Sequence, residues 1–151
     1  MRNRFLAFLC TVVLALPLPA MAAEGMVNVK SDHSVSVTAD KFENVISGKG
    51  LTVFARVNHA QGAEGVGMEL RPTELVIFGN PKVGTPVMQC AQSTAIDLPQ
   101  KALIWEDNNG QVWLSYNDPD YLKQRHGIEG CDEALEKIAT ALENFAAMAT
   151  E

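Results

Sequence analysis

The stretch ALIWEDNNGQVWLSY, residues 102–116, carries the plainest structural signal in the chain. Apolar and aromatic residues dominate its two arms, Ala102–Trp105 and Val112–Tyr116, and polar residues separate them. Asn109-Gly110 lies in that separating segment. Asn-Gly between two such arms is typical of a tight β-hairpin, because both residues tolerate positive φ angles. We therefore predict two neighbouring antiparallel strands here.

The last helix is the second clear element and is predicted over Asp132–Met148. Five apolar residues recur along it at spacings of three and four: Leu135, Ile138, Leu142, Phe145 and Ala149. Residues at these spacings lie on one face of an α-helix. We expect this stripe to form the helical side of the core.

The rest of the chain alternates strands and helices without an internal repeat. Strands are predicted at 26–30, 51–57 and 74–78, helices at 36–47, after Thr85 and after Asp118, and a loop or short helix at 59–73. Alternation of Leu51, Val53, Ala55 and Val57 predicts one face of the second strand. Thr85-Pro86 and Asp118-Pro119 each combine a capping residue with proline at the first helical position, whereas residues 79–81 are predicted to be a turn. Hairpins dominate, so the fold class is α+β, a largely antiparallel sheet with helices on one face.

Residues 1–22 are predicted to be a signal peptide rather than part of the fold. Arg2 and Arg4 precede the apolar run Phe5–Leu16, and Ala20-Met21-Ala22 places small residues at the two positions that signal peptidase recognises. The run is shorter than the roughly 20 residues of a membrane span. We expect an exported protein, periplasmic or secreted, with no membrane span after cleavage.

The charge balance argues against a nucleic-acid partner. The whole chain has a net charge of −6, and loss of the two arginines in residues 1–22 leaves −8. Nucleic-acid-binding domains rely on clustered Lys and Arg. We therefore predict no nucleic-acid partner.

Export also determines how the cysteines are interpreted. Of the three cysteines, Cys10 lies in the predicted signal peptide, which leaves Cys90 and Cys131. An even number of cysteines in an oxidising compartment predicts a disulfide. Two buried free thiols, or a reactive or metal-binding thiol, are the alternatives.

Several short phrases between residues 58 and 126 carry a family resemblance. They are Asn58-His59-Ala60, Leu70-Arg71-Pro72-Thr73, Ile77-Phe78-Gly79-Asn80-Pro81, Gly84-Thr85-Pro86-Val87-Met88, Asp97-Leu98-Pro99 with Lys101, Trp105-Glu106-Asp107 and Tyr116-Asn117-Asp118-Pro119 with Arg125-His126. In that order they resemble the Domain of Unknown Function 302 family, as a single domain over residues 23–151. The resemblance implies a TATA-binding-protein-like β-α-β(4)-α arrangement, which carries no DNA binding with it. Asn58 departs from the Asp expected before the histidine.

The residues favour a non-catalytic binding module for a small polar or anionic ligand. Loops at 58–73, 79–86 and 97–101 concentrate polar and glycine residues, and loops carry sites on a rigid scaffold. The candidate ligand-binding residues are His59, Arg71, Asn80, Thr85 and Lys101. The Thr85-Pro86 helix start offers N–H groups that attract an anion.

Two other classes of function stay open. The chain contains none of the common nucleotide-binding, hydrolase or metalloprotease motifs, so no catalytic residue, cofactor or metal site is predicted. An enzyme that uses His59 or His126 as acid and base is one alternative. A structural or oligomerising cell-envelope domain is the other. The sequence also leaves a homodimer open.

Expression in an exporting bacterial host tests the signal peptide. We expect a mature chain that begins at Ala23 or Glu24, because Ala20 and Ala22 direct cleavage. N-terminal sequencing and intact mass report the start of the chain. Ala22→Trp removes a required small residue and is expected to leave the leader attached. A secreted wild-type chain that still contains residues 1–10 contradicts the prediction.

Overall fold

A computed structural model describes residues 23–151, and the predicted signal peptide with Cys10 lies outside this range. Five strands and five α-helices occur in the described part. In chain order they are β1 (Met26–Ser31), α1 (Val35–Gly48), β2 (Thr52–Asn58), α2 (His59–Glu64), β3 (Thr73–Gly79), α3 (Pro81–Cys90), β4 (Gln100–Glu106), β5 (Val112–Asn117), α4 (Pro119–His126) and α5 (Asp132–Thr150). A short 3₁₀ helix, Gln92–Ile96, lies between α3 and β4.

The five strands form an antiparallel sheet in the order β1-β5-β4-β3-β2. β4 and β5 are the predicted hairpin, and the other strands flank it. The two longest helices, α1 and α5, pack against each other and against one face of the sheet. The α+β class, the antiparallel sheet and the helices on one face are confirmed, and the long elements follow the order β-α-β(4)-α.

The core lies between that face of the sheet and the two long helices. Val76 and Phe78 of β3 and Ile104 of β4 are completely buried. The Phe78 ring meets Phe42 of α1 edge to face, with centroids 5.1 Å apart, an arrangement that the aromatic quadrupoles favour. The predicted stripe of α5 is confirmed, because all five of its members are buried: Leu135, Ile138, Leu142, Phe145 and Ala149.

Asp107 organises the predicted hairpin turn. Its carboxylate accepts hydrogen bonds from the backbone N–H groups of Asn109 and Gln111 at 2.8 and 3.0 Å, and from the Trp113 indole at 3.0 Å. These hydrogen bonds hold the pKa of the Asp107 carboxyl below its ordinary value, and the bond from the Trp113 indole has the largest effect. Gly110 has the positive φ of 77° for which glycine is suited.

The predicted alternation in β2 is wrong beyond Val53. A β-bulge between Val53 and Ala55 inserts Phe54 as an extra residue. A bulge of one residue reverses the faces of everything that follows in a strand. Ala55 and Val57 are therefore exposed, and Arg56 faces the helices instead.

Acidic partners compensate for turning Arg56 inward. Its guanidinium donates to the carboxylates of Glu74 on β3 and Asp40 on α1, and Glu43 lies 3.9 Å away. The hydrogen bond to Glu74, which is buried, is the main cause that raises the pKa of Arg56 above its ordinary value. A charge directed toward a core is tolerated when it is paired in this way.

The helix predicted to begin at Thr85-Pro86 begins instead at Pro81. Asn80 caps it, because the Asn80 side chain accepts from the Lys82 N–H at 2.9 Å, and Pro81 takes the first helical position. Pro86 lies inside the helix, where it cannot donate a backbone hydrogen bond. The predicted turn and the predicted cap are both wrong, because Asn is a stronger capping residue than Thr.

The predicted disulfide between Cys90 and Cys131 is confirmed, with Cα atoms 6.4 Å apart. It joins the last residue of α3 to the residue before α5. The two cysteines are 41 positions apart in sequence. Closing a loop of that length in the unfolded chain stabilises the fold by about 4 kcal/mol on entropic grounds.

The other face of the sheet is partly apolar. Leu75 and Leu103 are register partners there, and so are Trp105 and Trp113. All four are half-buried. The Trp105 indole donates to Ser115 at 2.9 Å, as Trp113 does to Asp107, so the polar edges of both rings are used within the sheet. The homodimer left open by the sequence stays a prediction.

Substitutions on α5 test the core stripe. Leu135→Ala is expected to lower the free energy of unfolding by about 2–5 kcal/mol, because it leaves a cavity in the buried core to which Leu135 belongs. The neighbouring Glu136→Ala, which is exposed, is expected to change it by about 0.5 kcal/mol or less. Urea denaturation of both variants measures the difference. Equal losses contradict the assignment.

Candidate functional site

An apolar cavity of about 430 Å³ lies between α3, α5 and the adjoining part of the sheet. We call it the α3–α5 cavity. Its apolar walls include Val83 and Met88 from α3, Leu98 from the loop before β4, and Ile138, Ala141 and Leu142 from α5. The volume falls in the range of small-molecule sites, about 300–1,000 Å³.

The β2 bulge and a glycine shape this cavity. Phe54, the inserted residue of the bulge, lines the cavity with 53% of its surface exposed, and Val83 opposite α5 is 47% exposed. Gly84 contributes no side chain, and a Cβ placed on it comes no closer than 3.7 Å to Leu98. The cavity therefore has room that the chain's own side chains do not fill.

Asp97 fixes the loop that forms one wall. Its two carboxylate oxygens lie 3.2 Å from Arg125 Nη1 and 2.6 Å from His126 Nε2, both at the end of α4. The Asp97 backbone carbonyl accepts from Lys101 Nζ at 2.8 Å. Helix α4 therefore anchors Leu98, which lines the cavity directly after Asp97.

Helix α4 itself begins directly after Asp118, as the sequence predicts. The Asp118 side chain accepts from the Asp120 N–H at 2.9 Å and caps the first turn. Gly127 closes the last turn in the left-handed conformation, with φ of 59°. These two caps fix the length of the helix, so Arg125 and His126 reach Asp97 from its last turn.

The charged residues that line the cavity are both lysines. Lys49, which caps the C-terminal end of α1, and Lys137 of α5 lie at its edge with exposed side chains. The neutral polar residues Asn80, Thr85 and Gln100 complete the lining. The cavity thus combines apolar walls with positive charge at its edge.

The structure brings two of the predicted site residues, Asn80 and Thr85, to this cavity. The Asn80 side chain is already engaged, since it caps α3 and also donates to the Gly50 carbonyl at 3.4 Å. Thr85 lies in the middle of α3 and not at its start. The predicted anion site at a Thr85-Pro86 helix start is therefore wrong.

The other predicted site residues do not share the cavity. Arg71 donates to the Glu106 carbonyl at 3.0 Å and lines a separate concavity that also contains the carboxylates of Glu64, Glu69, Glu74 and Glu106. So much negative charge disfavours an anionic ligand beside Arg71. His59 is exposed at the start of α2.

Lys101 is occupied by the loop before its own strand. Its ammonium donates to the carbonyls of Asp97 and Pro99 at 2.8 and 3.0 Å. Burial lowers the pKa of Lys101 below its ordinary value, and the charge of Asp97 opposes that shift. The ammonium thus holds the cavity wall in place, and it lines neither concavity described above.

His126, the candidate acid–base residue, lies in a hydrogen-bonded chain of side chains. Its buried ring joins Asp97 through Nε2 and Ser93 through Nδ1, the latter at 3.0 Å. Ser93 is exposed on the 3₁₀ helix. Over residues 23–151, no group of three His, Cys, Asp or Glu side chains is arranged to hold a metal ion.

Lys49, Phe54 and Leu98 line the cavity but are not among the residues predicted from the sequence. Phe54 offered a signal, since it is a large aromatic residue at a position that the alternation assigned to the exposed face. Leu98 lies in the Asp97-Leu98-Pro99 phrase of the family resemblance. Lys49 offered none, because a lysine after a helix is typical of any solvated surface.

The fold and this cavity define a class of protein: a small α+β domain with an apolar, ligand-sized cavity beside its last helix. The chain belongs to the family described as Domain of unknown function DUF302, whose sequence profile matches residues 27–145. The resemblance drawn from the sequence is thereby confirmed. An uncharacterized conserved protein DUF302 from Bacillus stearothermophilus, known from a crystal structure, shares the fold with a TM-score of 0.67 and 19% identity over 85% of this chain and 97% of that chain.

Curated relatives come from Brucella. The chain is 43% identical over 125 residues to a protein named Fluoride-specific ion channel FluC 1 in Brucella suis biovar 1 (strain 1330). The matched region covers 82% of this chain and 49% of that protein. A protein of the same name in Brucella abortus biovar 1 (strain 9-941) matches equally, over 46% of its length. The chain therefore spans about half the length of these relatives. Within residues 23–151, no helix has both the length and the apolar character needed to cross a membrane.

Asp97→Asn tests the anchoring of the cavity wall. The variant keeps the size of the side chain but loses the ion pair with Arg125 and the charged partner of His126. We expect it to lower the free energy of unfolding by about 1–3 kcal/mol, the usual effect of leaving buried polar groups poorly paired. The same change at exposed Asp32 is the control and is expected to have an effect of about 0.5 kcal/mol or less. Indistinguishable urea midpoints for the two variants contradict the anchoring role.

Proposed function

We propose that this domain is an exported, non-catalytic binding module whose ligand is a small, largely apolar molecule held in the α3–α5 cavity. The observation that carries this proposal is the uncovered apolar surface of Phe54 and Val83 within a ligand-sized cavity. Burying apolar surface stabilises a complex by about 25 cal/mol per Å². A ligand that covers these two side chains is therefore bound favourably. The proposal replaces the polar ligand expected from the loops, because Arg71, His59 and Lys101 do not converge.

The stiffness of the walls supports a binding role. The Cys90–Cys131 disulfide joins α3 to the start of α5, and the contacts of Asp97 with α4 hold the remaining wall. A preformed cavity loses less conformational entropy when a ligand binds than a flexible one does. The proposal of export is supported by residues 1–22, in which arginines precede an apolar run and small residues follow it.

The Brucella relatives suggest where such a module acts. Their printed name describes a fluoride-specific ion channel, and only about half of each protein matches this chain. We propose that the half matching this chain acts as a binding module within those proteins as well.

A hydrolytic function is the second candidate, and the Ser93–His126–Asp97 chain favours it. A histidine oriented by a carboxylate can take the proton of a serine nucleophile. Against this role, Ser93 lines neither the α3–α5 cavity nor the concavity beside Arg71. Labelling with a fluorophosphonate reagent distinguishes the candidates, since a binding module is expected to remain unlabelled at Ser93.

Fluorescence of N-phenyl-1-naphthylamine, a neutral apolar probe, tests the cavity. We expect saturable binding to the mature protein, and Ala141→Trp is expected to weaken it at least about tenfold because the indole fills the cavity. Ala95→Trp adds the same side chain at an exposed position outside the cavity and is the control. Circular dichroism establishes that both variants are folded. Equal probe binding by the two folded variants contradicts the proposal.

A further inference from the structure

We propose that the ligand of the α3–α5 cavity is a single-chain amphiphile with an anionic head group, such as a medium-chain carboxylate. This inference rests on the proposed function and makes it more specific. The apolar chain contacts the walls formed by α3 and α5, and the head group lies at the edge beside Lys49 and Lys137.

The sign of the charge at the cavity is the first argument. The chain without residues 1–22 has a net charge of −8, yet its cavity is lined by two lysines and by no Asp or Glu among the described residues. Acidic residues outnumber basic ones elsewhere in the chain, so two lysines at the edge of an apolar cavity mark the place where an anion is attracted.

The availability of the Lys137 ammonium group is the second argument. Lys137 pairs with Glu133 one helical turn away, but the side chains are 72% and 84% exposed, and such pairs contribute little to stability. An incoming carboxylate can therefore replace Glu133 at small cost. The neighbouring shallow groove, which contains Glu133 and Glu136, also borders both lysines and is the less suitable side for an anion.

The size and lining of the cavity are the third argument. Its volume of about 430 Å³ lies near the lower end of small-molecule sites, which suits one alkyl chain rather than a two-chain lipid. Neutral polar side chains, Thr85 and Gln100, are present among the apolar ones. The apolar walls can therefore contact an alkyl chain along its length. The polar side chains can form hydrogen bonds with its head group.

Three matched competitors test the charge preference. Decanoate and decyltrimethylammonium, each below its micelle-forming concentration, and decan-1-ol, below its solubility limit in water, compete with N-phenyl-1-naphthylamine for the wild-type protein. We expect decanoate to bind about fivefold more tightly than decan-1-ol, as two exposed charge contacts allow, and decyltrimethylammonium to bind most weakly. Added salt is expected to weaken decanoate and not decan-1-ol, because salt screens exposed charges.

A double variant assigns the preference to the two lysines. Lys49→Gln with Lys137→Gln is expected to bring decanoate to the affinity of decan-1-ol and to leave decan-1-ol unchanged. Lys82→Gln, at an exposed lysine of α3 that does not line the cavity, is the control for charge. An anion preference that survives in the double variant overturns the inference.

The outcomes separate this inference from the proposed function. If the probe binds and all three competitors bind alike, the binding module stands and the anionic ligand is wrong. If the probe does not bind, calorimetric titration with decanoate at two well-separated temperatures decides directly, because burial of apolar surface makes the binding enthalpy depend on temperature. Absence of heat at both temperatures overturns both. Sedimentation with phosphatidylglycerol vesicles, combined with no displacement by decanoate, indicates a membrane lipid and overturns the single-chain ligand.

Discussion

The edge-to-face contact between Phe42 and Phe78 is the constraint on which the rest of the structure depends. Phe78 is buried at the end of β3, where it touches α1 and also lines the α3–α5 cavity. The contact places α1 over the sheet, and α5 packs on α1 in turn. Because protein interiors are packed as densely as organic crystals, a shift of this ring moves both the helical layer and the cavity.

The cavity exists because α3 does not complete that helical layer. Val87 is the buried residue of α3, Gly84 has no side chain, and Pro86 interrupts the backbone hydrogen bonds. Packing alone therefore holds α3 weakly, and the Cys90–Cys131 disulfide and the contacts of Asp97 supply what packing does not. An apolar cavity lowers the stability of a fold. A cavity that a disulfide and a set of ion pairs nevertheless hold open is consistent with a binding role.

The bulge in β2 links the cavity to the ion pairs of the core. One inserted residue, Phe54, contributes to the cavity, and the same insertion turns Arg56 toward the helices. The strand then requires carboxylates at Asp40 and Glu74 to neutralise the arginine. A single change of register therefore accounts for both features.

The elements with local signals could be predicted without the structure. Leu135, Ile138 and Leu142 identify α5 because helical spacing needs no other part of the chain, and Asn109-Gly110 identifies the hairpin for the same reason. Two cysteines in a predicted exported chain were enough to predict their disulfide.

The candidate site could not be predicted from local patterns, because its residues come together only in the folded chain. Alternation cannot reveal the bulge at Phe54, because the extra residue is defined only by the pairing of β2 with β3. Lys49, Leu98 and Ala141 are distant in sequence and meet only because the helical layer is fixed on the sheet. The cavity depends on how the helical layer packs on the sheet, so no single stretch of the sequence predicts it.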